Sequence, residues 1–405
     1  LSNIFNTMSL FSNVELAPRD PILGLNEAFN QDSRSNKVNL GVGVYFTDAG
    51  KIPLLRAVQV AEKQRMENPT PRGYLPIEGI AAYNTGVQNL LFGQDSELSK
   101  NGRVVTAETL GGTGALKIGA DFIKRLKPNT TIYISDPSWE NHRALFEAAG
   151  FTVNTYPYYD AATRGVNFEG MIAALNNMPA ESVVLLHACC HNPTGADLTN
   201  DQWGQIVDVC RKKNLIPFLD MAYQGFADGI DADGVSVRLF AASGLAFFVS
   251  SSFSKSFSLY GERVGALSIV TENKDETARV LSQIKRVIRT NYSNPPTHGG
   301  AVVAAVLNNP ELRAMWEEEL AEMRDRIKLM RNQLVEKLAA AGAKKDFGFV
   351  NHQRGMFSYT GLTADQVDKL MKDYGIYAVS TGRICIAALN SNNLDAVAKG
   401  IAAVL

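Results

Sequence analysis

Residues 183–220 read VVLLHACCHNPTGADLTNDQWGQIVDVCRKKNLIPFLD. Residues 183–188 are a short aliphatic run, 202–213 carry apolar residues at helical spacing, and 216–219 are again short and apolar. A strand, a helix and a strand in that order predict a βαβ unit, because parallel strands need a helical crossover. Similar strand-like runs flank this unit at 131–135 (TIYIS), 246–250 (AFFVS) and 265–270 (GALSIV), and a helical pattern covers 114–126. The alternation predicts an α/β fold over the middle two thirds of the chain, a mainly parallel sheet with helices on both faces.

Further on, Leu312, Trp316, Leu320, Met323, Ile327, Met330, Leu334 and Leu338 recur every three or four residues, which predicts one long helix with a single buried stripe. Gly342 ends it. Short strand-like pieces (MFSYTG, IYAVS, ICIAAL) and a helix at 363–373 then predict a smaller α+β domain. A chain of 405 residues exceeds the ~250 to 300 residues at which single cores stop growing, which agrees with two domains.

Apolar residues make up 45% and charged residues 20%, an ordinary globular composition that excludes a disordered chain. Forty Lys and Arg balance 41 Asp and Glu, so there is no positive field to hold nucleic acid. Cys189, Cys190, Cys210 and Cys385 form no CxxC pair and the five histidines form no HExxH, so neither a disulfide framework nor a metal site is expected. No run approaches the ~18 apolar residues that span a bilayer, and no export signal is visible, so the expectation is a cytoplasmic protein. Residues 1–7 precede Met8, a more natural start, and are set aside.

Ligands of parallel α/β sheets bind beyond the carboxyl ends of the strands, so the residues that follow each strand carry the functional reading. Lys255 is the only charged residue between Arg238 and Glu262, whereas a surface loop is rarely so poor in charge. An ordinary lysine keeps its ammonium in water, but a partly buried one has a depressed pKa and can form a Schiff base with a carbonyl. Asp220 alone reads as a turn residue. Beside such a lysine it could face the pyridine nitrogen of pyridoxal phosphate (PLP) and keep that ring an electron sink. Tyr223 and Asn192, at neighbouring strand ends, could donate to the phenolate oxygen, and Trp139 could stack on the ring. Gly111-Gly112-Thr113-Gly114 before a helix offers amides and a hydroxyl to a phosphate, with Ser252 and Arg263 in reach. A dinucleotide fingerprint fits poorly, since Lys117 stands where its third glycine belongs.

The segments LGGTGALKIGADF, SDPSWENH, CCHNPTG, DMAYQGF, SSFSKSFSLYGERVG, IRTNYSNPPTHGG and TGRICIAAL, in this order, resemble the aspartate and aromatic amino acid branch of the class I PLP-dependent aminotransferases. The resemblance covers residues 9–405. It implies the type I fold of PLP enzymes, with a mostly parallel seven-stranded sheet in a large domain and a smaller α+β domain built from both chain ends. On that reading residues 8–20 are an arm, 21–54 and 325–405 form the small domain, and 55–324 form the large one.

The resemblance makes Lys255 the Schiff-base lysine, Asp220 the partner of the pyridine nitrogen, supported from behind by His142, and Tyr223 and Asn192 the phenolate donors. Gly112, Thr113, Ser252 and Arg263 would hold the phosphate, joined by Tyr74 from the other subunit of a homodimer, and Trp139 would stack over the ring. It further implies that Arg383 grips the substrate α-carboxylate, that Arg289 arrives from the neighbouring subunit to meet a side-chain carboxylate, and that Gly43 contacts the substrate by its backbone. Composition and spacing would not have singled out either arginine. The implied reaction is a ping-pong exchange of amino groups between amino acids and 2-oxo acids.

Phe46 and Ile52 in the entry segment, with LYGERVG and ICIAAL, resemble the aromatic members, whereas Gly73, Thr113 and Asn294 resemble the aspartate type. The expectation is therefore an enzyme that takes aromatic amino acids and aspartate with 2-oxoglutarate, the alternative being strict aspartate selectivity. A noncatalytic relative would be expected to lack Lys255 or Asp220. A nicotinamide oxidoreductase is disfavoured by the glycine pattern.

Overall fold

The structure, a computed structural model, describes residues 8–405, so the stretch set aside before Met8 lies outside the described residues. Seven strands form the central sheet: β1 (Val104–Leu110), β2 (Ile132–Asp136), β3 (Val153–Pro157), β4 (Val183–His187), β5 (Ile216–Met221), β6 (Phe247–Ser252) and β7 (Val264–Val270). Their order is β1-β7-β6-β5-β4-β2-β3. Only β7 runs against its neighbours; every other pair is parallel. The five strands predicted for this sheet form within one or two residues of their expected ends, whereas of the later pieces IYAVS is strand only at Ile376–Tyr377 and ICIAAL only as far as Cys385, before a 3-10 turn at Ile386–Ala388. β1 and β3 were not anticipated, because β1 carries Thr106, Glu108 and Thr109 among its apolar residues and β3, at the sheet edge, buries only Val153 and Tyr156 and exposes Asn154, Thr155 and Pro157.

The helices that position the site are α1 (Pro21–Gln31), α2 (Ala81–Phe92), α3 (Gly111–Leu126), α4 (Glu140–Ala148), α5 (Lys274–Asn291), α6 (His298–Leu307) and α7 (Pro310–Ala340). Successive residues of a strand point to opposite faces, and the sheet uses this to feed two cores. Val183, Leu185, Phe218, Phe248 and Leu267 pack into the layer under α3 and α5, while Val184, Leu186, Leu219, Val249 and Ala266 pack into the opposite layer with α2, α6 and α7. Gly119 lets α3 approach the sheet closely: a Cβ there would lie 2.7 Å from the Phe218 ring.

α7 buries all eight residues of the predicted stripe. Asn309 caps it by accepting from the Glu311 and Leu312 amides, with Pro310 at its first turn. Its Trp316 stacks on Phe257 at 4.5 Å between centroids and donates to Ser256 O at 2.7 Å. The long helix thereby braces the loop that carries Lys255. Near the chain ends, Val38–Asn39 pair in parallel with Ile376–Tyr377, and the Cys385 amide donates to Leu40 O at 2.8 Å. All four cysteines are free and buried, and among the described residues no His, Cys, Asp and Glu group could hold a metal ion. Among the described residues no helix is long and apolar enough to cross a membrane.

Candidate active site

A cleft of about 390 Å³ opens at the carboxyl ends of the parallel strands. Gly43, Gly112, Thr113, Trp139, His142, Asn192, Asp220, Tyr223, Ser252, Lys255, Arg263 and Arg383 all line it. Residues separated by up to 340 positions converge because β1, β2, β4, β5 and β6 end at this edge and Arg383, from a strand paired with Phe357–Tyr359, reaches in to Asn192. Tyr74 and Arg289 do not line the cleft of their own chain. Tyr74 is 94% exposed, and Arg289 stands exposed in the last turn of α5, donating to the Ser293 hydroxyl.

Burial pushes the Lys255 ammonium down to about 8; Asp220 opposes this, while Arg263 and Arg383 add to it. Its Nζ lies 4.9 Å from the centre of the Tyr223 ring. Burial alone would raise Asp220, but the hydrogen bond to His142, with His142 and Lys255 nearby, outweighs it and holds the carboxyl below its ordinary value. His142 Nε2 is 2.7 Å from Asp220 Oδ2, and Ser250 Oγ donates to Oδ1 at 3.3 Å. Behind them Ser138 Oγ lies 2.8 Å from His142 Nδ1 and 3.0 Å from His187 Nε2. Burial pushes His187 down to about 3, so it stays neutral at physiological pH.

Burial also raises the Tyr223 phenol, with Asp220 adding to the rise and Arg383 opposing it, so the phenol remains a donor. Arg383 is buried; its guanidinium donates to Asn192 Oδ1 at 3.2 Å and to Gly41 O at 3.4 Å and lies 4.2 Å from the centre of the Phe357 ring. Its Nε has no protein partner. A buried donor left unpaired is costly, and a ligand carboxylate would satisfy it.

At the other end of the cleft, Gly112 opens α3 so close to β6 that a Cβ would meet the Ser252 Cβ at 3.2 Å. Gly111, at φ +68°, leaves room for Arg263, whose Nη2 would sit 2.6 Å from a Cβ there. Amides, hydroxyls and one guanidinium thus face the same space, the donor set that a phosphate monoester takes.

The structure also brings in residues that the sequence reading missed. Asp20 accepts from the Ile22 and Leu23 amides at 2.9 Å and starts α1 at the cleft, which places Ile22 and Leu23 at its wall. Asp20 followed by Pro21 is the local signal of a capped helix start, but where that helix docks depends on tertiary packing. Phe46 and Ile52, the entry-segment residues that resemble the aromatic members, do not line this cleft. Phe46 faces a separate groove of about 500 Å³ with Phe29 and Val42, and Ile52 is half exposed.

Residues 35–401 match the family model for aminotransferase class I and II. The chain is 71% identical over 398 residues to the aspartate aminotransferase of Pseudomonas aeruginosa, covering 98% of this chain and all of the relative. It is 51% identical over 399 residues to the aromatic-amino-acid aminotransferase of Escherichia coli, with 98% and 100% covered. A crystal structure of the aromatic-amino-acid aminotransferase from Burkholderia pseudomallei, covalently bound to pyridoxal phosphate, superposes with a TM-score of 0.97 at 71% identity, covering 98% of this chain and 100% of that one. With a lysine of lowered pKa, a supported aspartate and an unsatisfied arginine in one cleft, the chain belongs to the class I and II aminotransferases.

Proposed function

We propose that this aminotransferase holds pyridoxal 5'-phosphate in the described cleft and moves the α-amino group of aspartate and of aromatic amino acids to 2-oxoglutarate in a ping-pong cycle. The observation that carries it is the meeting of Lys255, lowered to about 8, with Asp220 on His142 and the unpartnered Nε of Arg383. The relatives named for aspartate and for aromatic amino acids stand at 71% and 51% identity, which supports a broad specificity.

Gly112, Thr113, Ser252 and Arg263 hold the phosphate, and Trp139 covers the ring. Once bound, the cofactor supplies an electron sink for the bonds of the substrate Cα and a carrier for the amino group. Lys255 anchors it and, with a free amine populated near neutral pH, takes the Cα proton and returns it. Asp220, kept ionised by His142, holds a proton on the ring nitrogen. Tyr223 and Asn192 donate to the phenolate oxygen, and the Arg383 fork takes the α-carboxylate with Gly43 beside it.

Tyr74 and Arg289 lie outside the cleft of their own chain, which supports a homodimer in which each serves the neighbouring site, Tyr74 at the phosphate and Arg289 at a side-chain carboxylate. Exposed Met8, Leu10, Phe11, Val14 and Leu16 in the arm of residues 8–20 supply apolar surface for that contact. The pairing of Val38–Asn39 with Ile376–Tyr377 supports residues 21–54 and 325–405 as one small domain beside a large domain of 55–324. Free buried thiols support a cytoplasmic setting.

The test is a single-turnover panel on the PLP-loaded protein. Aspartate and tyrosine should each bleach the cofactor's visible band and 2-oxoglutarate should restore it; conversion of aspartate alone would leave strict aspartate selectivity.

A further inference from the structure

β1 carries a buried acid that the proposed chemistry does not use. Glu108 is 2% exposed, and among the described residues no lysine, arginine or histidine pairs with it. The Ile80 amide donates to its Oε1 at 3.2 Å, and its own amide donates to Glu78 O at 2.9 Å. Two glycines press on the side chain. A Cβ on Gly79, at φ +87°, would stand 2.6 Å from Oε1, and a Cβ on Gly300 would stand 2.7 Å from Cδ.

Each glycine belongs to a segment already named. Gly79 lies five residues after Tyr74, just before α2, and Gly300 lies in the first turn of α6, beyond Arg289 and Asn294. Asn294 Nδ2 donates to Leu75 O at 2.9 Å, joining the two segments directly. Beside Glu108, the Tyr292 hydroxyl is buried with no partner. The titratable groups that face the acid are Tyr83 of α2 and Tyr292, both raised first by burial and then by Glu108 itself. Nearby charges are engaged elsewhere: Lys285 of α5 with Glu78 at 3.5 Å, and His298 of α6 with Glu62 at 2.9 Å.

We propose that Glu108 is a positioning residue: its neutral carboxyl, clamped between Gly79 and Gly300, holds the segments of Tyr74 and Arg289 in place, and its ionisation loosens both. A carboxylate with one donor and no cation gains by reaching water, and it reaches water only if the enclosing backbone moves away. Burial, opposed by the Ile80 amide, pushes the group up to about 7, so the change falls in the working range of pH. The functional consequence rests on the assignment of Tyr74 and Arg289 to the neighbouring site.

The experiment compares PLP-loaded wild type, Glu108→Gln and Glu108→Ala by amide hydrogen exchange over residues 73–80 and 289–300, corrected for intrinsic rates, at pH 6 and pH 8. Wild type should lose protection in both segments on the order of tenfold at pH 8, in proportion to the ionised fraction. Glu108→Gln, which keeps the acceptor and cannot ionise, should hold the pH 6 level throughout; Glu108→Ala, if it folds, should be loose at both pH values. Parallel exchange in wild type and Glu108→Gln would overturn the proposal. In the aspartate half-reaction the wild-type KM should rise over the same pH interval while that of Glu108→Gln stays flat. Exchange that shifts with no change in aspartate KM supports the clamp and instead removes Arg289 from the substrate site.

Discussion

His142 Nε2 and Asp220 Oδ2 meet at 2.7 Å, although α4 and β5 bring them from positions 78 residues apart. The contact keeps Asp220 ionised in a buried place where a lone carboxyl would take up a proton. Asp220→Ala should therefore still bind PLP but lose several orders of magnitude in the single-turnover rate with aspartate, the loss expected when a preorganised charge is removed. Near-normal turnover in that variant contradicts the role.

Borohydride reduction of the PLP-loaded protein should fix the cofactor on the peptide that contains Lys255 and on no other. The rate of PLP capture by the cofactor-free protein should climb with pH and level off above about 8, because burial lowers this ammonium and the neutral amine attacks. A midpoint near the ordinary lysine value would rule out a desolvated nucleophile.

For Arg289→Leu, the aspartate and 2-oxoglutarate half-reactions should lose about 3 to 5 kcal/mol, as when one member of a desolvated ion pair is removed. Tyrosine should lose much less in its own half-reaction. Equal losses for both substrates would remove the distinction between a charged and an apolar mode of binding.

Shared sites make a separate prediction. Lys255→Ala and Arg289→Asp, each inactive toward aspartate, should regain activity when refolded together, because one site of each mixed dimer has both residues intact. Verified mixed dimers without aspartate activity would show that each chain serves its own site.

Glu108 also sets a pH dependence of stability. Its folded value is raised to about 7, so the native state holds the extra proton between the unfolded value and 7. That contribution is complete below the unfolded value and is lost as pH rises through 7. Relative to wild type, Glu108→Gln should gain on the order of 2 kcal/mol between pH 5 and pH 8, read by denaturant unfolding at each pH. Wild type gaining on the variant as pH rises is the contrary result.

Much of the fold was legible because its signals are local. The βαβ unit around 183–220, the stripe of α7 and the isolation of Lys255 in an uncharged stretch each follow from neighbouring residues, and helix and strand periodicity depends on nothing else. The family motifs, read in order, then named the cleft residues from Gly43 to Arg383. Only the tertiary structure decided what lies between segments. It docks α1 so that Ile22 and Leu23 wall the cleft, turns Phe46 toward another groove, and leaves Tyr74 and Arg289 outside the cleft of their own chain. It also buries Glu108 between two glycines in a strand whose polar residues had hidden it. Such placements depend on how distant layers pack and on which charges lose their water, and the local order of residues carries neither quantity.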